Sequence, residues 1–423
     1  MLDVRAIRED PESFRAGLGR RNLAEAVDAL LSADERRRSL TGRVEELRAE
    51  LNRGSKAIGG ADGDEKRSLI EQVAAVSTEL KGLEPQLQEA EAELAELLAT
   101  TPNVPHPSAP DGFTDEDAAE IRRVGEPPSF DFEPRDHMAL GQLLGVLDVE
   151  RAVRTSGARF VYLLGDIVLL QFALVRHALD ALVAEGFVPV IPPVLVREQA
   201  MYGTGFLPDA EGQIYTVAED DLFLVGTAEV PLAALHLGEI VDEAQLPLHY
   251  AGYSTCFRRE AGSYGKDLGG LFRVHQFDKV EMFAFTTPEA SWDEHERLLA
   301  IEERIIGNLE IPYRVVNIAA GDLGGPAAKK YDIEGWLPAQ DRYRELTSCS
   351  NTTDYQARRM QTRVRRSDGR IEALHTLNGT ATAIGRTLIA IMENHQRADG
   401  SVEVPAALHA YLPDRLRTMV PRS

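Results

Sequence analysis

Between about residues 27 and 100, the apolar positions fall in a heptad rhythm. Leu69, Val73, Val76, Leu80, Leu83, Leu87, Ala90, Leu94 and Leu97 alternate in steps of four and three, the seam of a coiled coil. Leu40, Val44, Leu47 and Leu51 carry the same rhythm, which extends back through Ala33 and Leu30. Between the two runs stands GGADGD (59–64), whose glycines open turn conformations. Two seams joined by so short a turn predict an antiparallel pair of helices, each roughly 30 residues and about 45 Å long at the usual rise. Pro85 predicts a bend near 81–83 but not an end, because the seam stays in phase across it.

The rhythm stops at TTPNVPHPSAPDG (100–112), a Pro-rich stretch that cannot continue a helix. It predicts a boundary between an N-terminal domain, 1–110, and a C-terminal domain, 111–423. In the second domain helical and strand patterns mix. Residues 166–185 read as an apolar helix ended by Gly186, feeding the extended run FVPVIPPVLV (187–196). Pro189, Pro192 and Pro193 confine that run to an edge or an interface. LFLVGTAEVPLAAL (222–235) reads as strand, turn and helix, with Thr227 and Glu229 at the junction. On local grounds these two are also an N-cap and a first-turn acid.

The densest chemistry lies in CFRREAGSYGKDLGGLFRVHQFDKVEMF (256–283). An outgoing strand over 253–260, a loop punctuated by Gly262, Gly265, Gly269 and Gly270, and a return strand over about 272–285 predict a hairpin. Period-2 alternation puts Arg258 and Glu260 on one face of the first strand, and Phe277 and Glu281 on one face of the second. A cation, two carboxylates and a ring then converge; a charged, solvated sheet face is the competing reading. Further on, a strand pair in 331–359 carries Glu345, Thr347 and Ser348, and in TLNGTATAIGRTLIAIMENHQ (376–396) Asn378 and Thr380 precede a helix bearing Arg386.

Charge and composition narrow the picture. A formal net charge of -22 argues against a general nucleic-acid coat but leaves room for a local basic stripe. The first arm helix concentrates Arg36, Arg37, Arg38, Arg43, Arg48, Arg53 and Lys56, whereas the second is almost purely acidic. This reads either as two faces paired across the hairpin or as a basic edge that tracks a polyphosphate backbone. The two cysteines, Cys256 and Cys349, cannot build a disulfide framework or a four-ligand metal site, which suits a reducing compartment. The N-terminus lacks a signal-peptide apolar core, and the most apolar stretch (160–175) is broken by Asp166 and Gln171. A soluble, cytoplasmic protein with no membrane span is expected. Neither GxGxxG nor GxxxxGK[ST] occurs in phosphate-loop context, so any nucleotide is held by another geometry.

Taken together, these segments resemble the bacterial type of seryl-tRNA synthetase, a class II aminoacyl-tRNA synthetase. The resemblance spans nearly the whole chain. It rests on the helical arm, GFVPVIPP (186–193) as motif 1, FRREAGSYGKD…RVHQFDKVEM as motif 2, TAE at 227–229, RELTSCSN at 344–351, and NGTATAIGRTLIAIMENHQ as motif 3. It implies an α+β fold, with an antiparallel sheet of six to seven strands flanked by helices, a homodimer through motif 1, and use of ATP with Mg²⁺. Serine would be activated to seryl-adenylate and passed to tRNA(Ser) and, where it exists, to tRNA(Sec).

By resemblance, Arg258 and Arg386 are the catalytic cations. ATP contacts fall on Arg258, Arg259, Glu260, Val274, Phe277, Glu345, Leu346, Thr347, Ser348 and Arg386, with Glu345 and Ser348 also holding Mg²⁺. L-serine contacts fall on Thr227, Ala228, Glu229, Arg258, Glu281, Asn378 and Thr380. The chemistry agrees: attack on the α-phosphorus builds negative charge that a fixed guanidinium stabilises. A pocket that hydrogen-bonds the substrate hydroxyl rejects alanine by roughly 10⁴–10⁵. Where the family usually carries KDxRG, this chain reads KDLGG; the loop then keeps Lys266 as its cation, and Gly269 is expected to alter ATP or tRNA binding but not adenylate formation. A duplicated synthetase serving self-resistance or biosynthesis, and a synthetase-like binding protein without catalysis, are the alternative functions.

Overall fold

The computed structural model describes residues 1–208, 211–261 and 270–422. The chain divides into two compact units, Met1–Pro102 and Asn103–Ser423.

In the first unit, short helices α1 (Val4–Glu9) and α2 (Pro11–Gly19) precede the long pair α3 (Ala26–Ile58) and α4 (Gly63–Thr100). With 33 and 38 residues, the pair reaches about 50–57 Å at 1.5 Å per residue, somewhat beyond the sequence estimate. Its dry seam contains Val44, Leu47 and Leu80, with Leu51, Val76, Leu83 and Leu87 packed against them. Helix α4 runs through Pro85 as one element, so the proline does not end it. The divided charges meet across the hairpin. Arg36 pairs with Glu89 and Glu93 (2.9 and 2.8 Å), Arg43 with Glu79 (2.7 Å) and Arg48 with Glu84 (2.9 Å). These pairs are exposed, so they contribute little stability and exchange readily for other anions. Arg38, Arg53 and Lys56 have no cross-helix acid among the described residues.

The Pro-rich stretch is stitched to the second unit. Asn103 Nδ2 donates to the carbonyls of Pro326 (2.9 Å) and Thr352 (2.8 Å), and His106 N–H donates to Ala328 O (2.8 Å). These bonds explain why the compact units divide near the start of this stretch, after Pro102, rather than at its end near 110.

The second unit is built on an eight-stranded sheet. In chain order its strands are β1 (Ala119–Val124), β2 (Val188–Val190), β3 (Leu248–Phe257), β4 (Gln276–Thr286), β5 (Tyr313–Asn317), β6 (Lys329–Leu337), β7 (Arg342–Asn351) and β8 (His375–Ala383). They are ordered β1-β5-β6-β7-β8-β4-β3-β2. Every pairing is antiparallel except β2 with β3, which is parallel. The sheet thus has more strands than expected, because short segments cap both edges. One cap is β2, where Pro189 sits as its missing N–H requires.

Helices α5 (His137–Leu144), α6 (Asp166–Ala184), α7 (Ser291–Asn308) and α8 (Ile384–Asn394) complete the core. Helix α6 is long and apolar enough to cross a membrane by length and composition alone. Here its Ile167, Leu170, Leu174, Ala178 and Leu182 join the main core with Val280, Met282 and Ala284 of β4.

Two irregularities in the sheet decide what faces the site. The β6–β7 register slips so that Ile333 opposes Thr347 while Glu334 opposes Glu345, leaving Leu346 as an extra residue. The β4–β8 register slips so that Val280 opposes Thr382 while Glu281 opposes Thr380, leaving Ala381 extra. Each is a β-bulge, which re-aims the side chains beyond it.

Candidate active site

A cavity of about 570 Å³ opens on one face of the sheet. Thr227, Glu229, Arg258, Glu260, Val274, Phe277, Glu281, Glu345, Leu346, Ser348, Asn378, Thr380 and Arg386 all line it. Segments as far apart as residues 227 and 386 therefore meet there. Three of the sequence candidates do not line it. Ala228 is fully buried, and Arg259 turns to the ring of Tyr215 (5.8 Å) and pairs its N–H with Gln213 O (2.9 Å). Thr347 projects to the opposite face of the sheet, where its hydroxyl donates to Glu302 (3.2 Å). The bulge at Leu346 is the cause: it lets Glu345 and Ser348, three apart, face the same side.

The hairpin differs from simple alternation. Its outgoing strand begins at Leu248 and ends at Phe257, so Arg258 and Glu260 lie beyond it. Arg258 N–H still pairs with His275 O (3.0 Å), but Arg259 pairs with another segment and Glu260 sits at φ 49°. Both side chains reach the cavity because the chain turns after the strand. Lys266 and Gly269 lie outside the described residues.

One end of the cavity is a buried polar cluster. Glu229 Oε1 accepts from Gln356 Nε2 (2.8 Å) and Asn378 Nδ2 (3.0 Å). Glu281 is ion-paired to Lys279 and accepts from Thr380 (3.4 Å). The alternation of β4 gives Phe277, Lys279 and Glu281 one face. Burial pushes Glu229 up, against the lowering effect of Gln356 and of Lys279 and Arg258. Burial likewise pushes Glu281 up to about 7, with Lys279 opposing and Glu229 adding to it.

The other end is cationic and aromatic. Arg258 Nε donates to Gly226 O (3.1 Å), and its guanidinium lies 5.3 Å from the centre of the Phe277 ring. Arg386 lies 4.8 Å from the Phe272 ring and pairs with Glu345 (3.4 Å). Glu260 accepts from Arg273 (3.0 Å). Burial would raise Glu345, but Arg386, Lys330 and Arg258 outweigh it and hold the carboxylate below its usual range.

The comparisons with known proteins agree from end to end. Residues 1–105 match the family described as "Seryl-tRNA synthetase N-terminal domain". Residues 215–395 match "tRNA synthetase class II core domain (G, H, P, S and T)". A serine–tRNA ligase of Acidothermus cellulolyticus is 52% identical over 97% of this chain and 98% of its own length. That of Streptomyces coelicolor is 51% identical over 98% of both chains. The chain belongs to the seryl-tRNA synthetases. Among solved structures, the seryl-tRNA synthetase from Pyrococcus horikoshii complexed with ATP superposes with a TM-score of 0.94 at 41% identity, covering 100% of both chains. The cytoplasmic serine–tRNA ligase from Naegleria fowleri in complex with AMP gives 0.89 at 32% identity, over 100% of this chain and 99% of that one. A ligase activity therefore replaces the non-catalytic alternative.

Several residues of this seryl-tRNA synthetase site escaped the sequence reading. Lys279 was visible as the alternation partner between Phe277 and Glu281, yet it reads locally as an ordinary strand lysine. Arg273 and Phe272 lie on the re-entering loop, and Lys330 pairs with Asp332 (2.9 Å) beside Glu345. Gln356 is fully buried and holds Glu229 from a distant helix, for which no local signal exists.

Proposed function

We propose that the chain joins L-serine to ATP, releasing pyrophosphate, and passes the seryl group of the resulting seryl-adenylate to the 3′ end of tRNA(Ser) and, where it exists, of tRNA(Sec). The observation that carries this reading is the union, in one cavity, of a buried carboxylate–lysine cluster with a cationic, aromatic end. Glu281, Glu229, Thr227, Thr380 and Asn378 suit the ammonium and hydroxyl of serine. Phe277 and Arg386 suit the two faces of adenine, and Glu260 its amino group. The ATP and AMP found with the two solved relatives support an adenine nucleotide here. The serine carboxylate attacks the α-phosphorus, the bond to the bridging oxygen breaks, and Arg258 stabilises the charge that accumulates.

Mg²⁺ fits the donor set. Glu345 is kept ionised by three cations, and Ser348 adds a hard hydroxyl oxygen on the same side. No group of three metal-binding side chains occurs among the described residues, so phosphate and water oxygens would complete the coordination. When bound, Mg²⁺ neutralises phosphate charge. The two buried free cysteines suit a cytoplasmic setting.

Amino-acid-dependent ATP–pyrophosphate exchange over a panel of amino acids, followed by charging of tRNA(Ser), tests this reading. Serine alone should support exchange, and its failure to do so sinks the proposal. Deleting about 36–96 should abolish charging while leaving exchange nearly unchanged; equal loss of both refutes an arm that reads tRNA.

The exposed apolar side chains of Ile191 (85%), Val188 (54%) and, on α6, Phe172 (55%) support a homodimer through motif 1. Ile191→Asp should shift the sedimenting species from dimer to monomer, and an unshifted dimer would place the interface elsewhere.

A further inference from the structure

The cavity wall ends on Leu271 and Phe272, where the chain re-enters from the motif 2 loop, and this segment is fixed from outside the cavity. Leu271 N–H donates to His137 Nε2 (3.3 Å), at the start of α5. The other ring nitrogen, Nδ1, lies 3.1 Å from Glu393 Oε1, near the end of α8. A backbone N–H can only donate, so Nε2 must carry the lone pair and Nδ1 the proton. Among the described residues Glu393 meets only donors: His137 N–H (3.2 Å) and the ring on Oε1, and Ala339 N–H (3.3 Å) on Oε2. Glu393 is fully buried and the His137 side chain only 9% exposed, so water competes little with these bonds. The backbone passes against the ring: at Gly270, with φ +85°, a Cβ would come within 2.2 Å of His137 Nε2.

The same carboxylate also holds the backbone beside the residues on the far side of Phe272. Ala339 precedes Gln340, which accepts from Arg344, and the Arg344 guanidinium lies 3.8 Å from the Phe272 ring. Arg386, on the helix that also carries Glu393, lies 4.8 Å from that ring.

We propose that His137 and Glu393 are positioning residues for the nucleotide end of the cavity, clamping Leu271 and Phe272 in place against Arg386 and Arg344. The assignment rests on the reading of that end as the adenine-nucleotide site. The serine end, on Thr227, Glu229 and Glu281, hangs on other elements, so the clamp should affect the two substrates unequally.

Two full-length variants separate the bonds. In His137→Asn the shorter amide still reaches Glu393 but not Leu271; in His137→Gln the side-chain oxygen reaches Leu271. Amide hydrogen exchange at 270–272, the thermal midpoint, and KM for ATP and for serine in pyrophosphate exchange are measured. H137N should exchange the Leu271 amide about tenfold faster, the scale of one lost hydrogen bond. It should raise KM for ATP by a similar factor and leave KM for serine within about twofold. H137Q should recover most of both effects. Unchanged Leu271 exchange in H137N overturns the clamp whatever the activity. So does a parallel rise of both KM values that follows a lowered thermal midpoint in both variants. Absence of serine-dependent exchange in the unaltered chain would instead sink the functional reading, with the amide exchange still judging the clamp.

Discussion

Arg258→Ala should lower serine-dependent ATP–pyrophosphate exchange by about 10²–10³-fold, the cost of removing one fixed donor from a site where charge develops. The loss should appear mainly in kcat, because in the proposed reaction the guanidinium would interact most strongly with the pentavalent phosphorus of the transition state. Arg258→Lys should recover only part of it: an ammonium keeps the charge but lacks the planar fork that donates to Gly226 O and lies beside Phe277. Because Arg258 also lowers Glu229 and Glu281, the alanine variant should show a higher serine KM as well. Exchange kinetics at saturating and limiting serine, with ATP saturating, separate the two effects. A kcat within threefold of the unaltered chain would remove Arg258 from the reaction.

The second large effect is expected at Lys279. Its ammonium is buried and ion-paired to Glu281, and it holds down two carboxylates that burial pushes up. Removing one partner of a buried pair leaves a charge that must either be tolerated or neutralised, and proton uptake is the cheaper course. In Lys279→Met, Glu281 should therefore be protonated at neutral pH and unable to accept from the serine ammonium. KM for serine should rise about 100-fold at pH 7, of the order of a lost buried ionic contact, with a smaller change for ATP.

The pH dependence has a definite sign. In the unaltered protein Glu281 stands at about 7, above its ordinary 4.5, so serine KM should fall between about pH 6 and 8 and then level off. The folded chain holds this proton more tightly than the unfolded one. Glu281 therefore reduces stability progressively from about pH 4.5 to about 7, and the reduction is constant above that. In K279M the fall in serine KM should move to higher pH. A serine KM–pH profile that coincides with that of the unaltered protein would refute the role given to Lys279.

Much of this organisation was legible in the chain itself. The four-and-three spacing from Leu69 to Leu97 required a long helix pair, since no other element buries that seam. The prolines of 187–196 forced an edge strand, because a central ladder needs the N–H that proline lacks. Arg258, Phe277, Glu281 and Arg386 stand in motifs distinctive enough to single them out from the sequence.

Other features depend on contacts between distant segments. Alternation placed Arg258 and Glu260 on one strand face, but the strand ends at Phe257, where Arg259 pairs with Gln213 instead. No local pattern shows that Gln356 grips Glu229 or that His137 meets Glu393, since these partners are brought together only by packing.

The sequence alone determined the arm, the order of the motifs and most of the residues at the site, because heptad spacing, proline chemistry and motif identity are properties of neighbouring positions. Only the tertiary structure decided which of those residues share a cavity. The bulges at Leu346 and Ala381 turn Glu345 and Ser348 to one side, send Thr347 to the other, and set Thr380 opposite Glu281. A one-residue slip reverses every side chain beyond it, and the slip is fixed by the opposing strand rather than by the residues that turn.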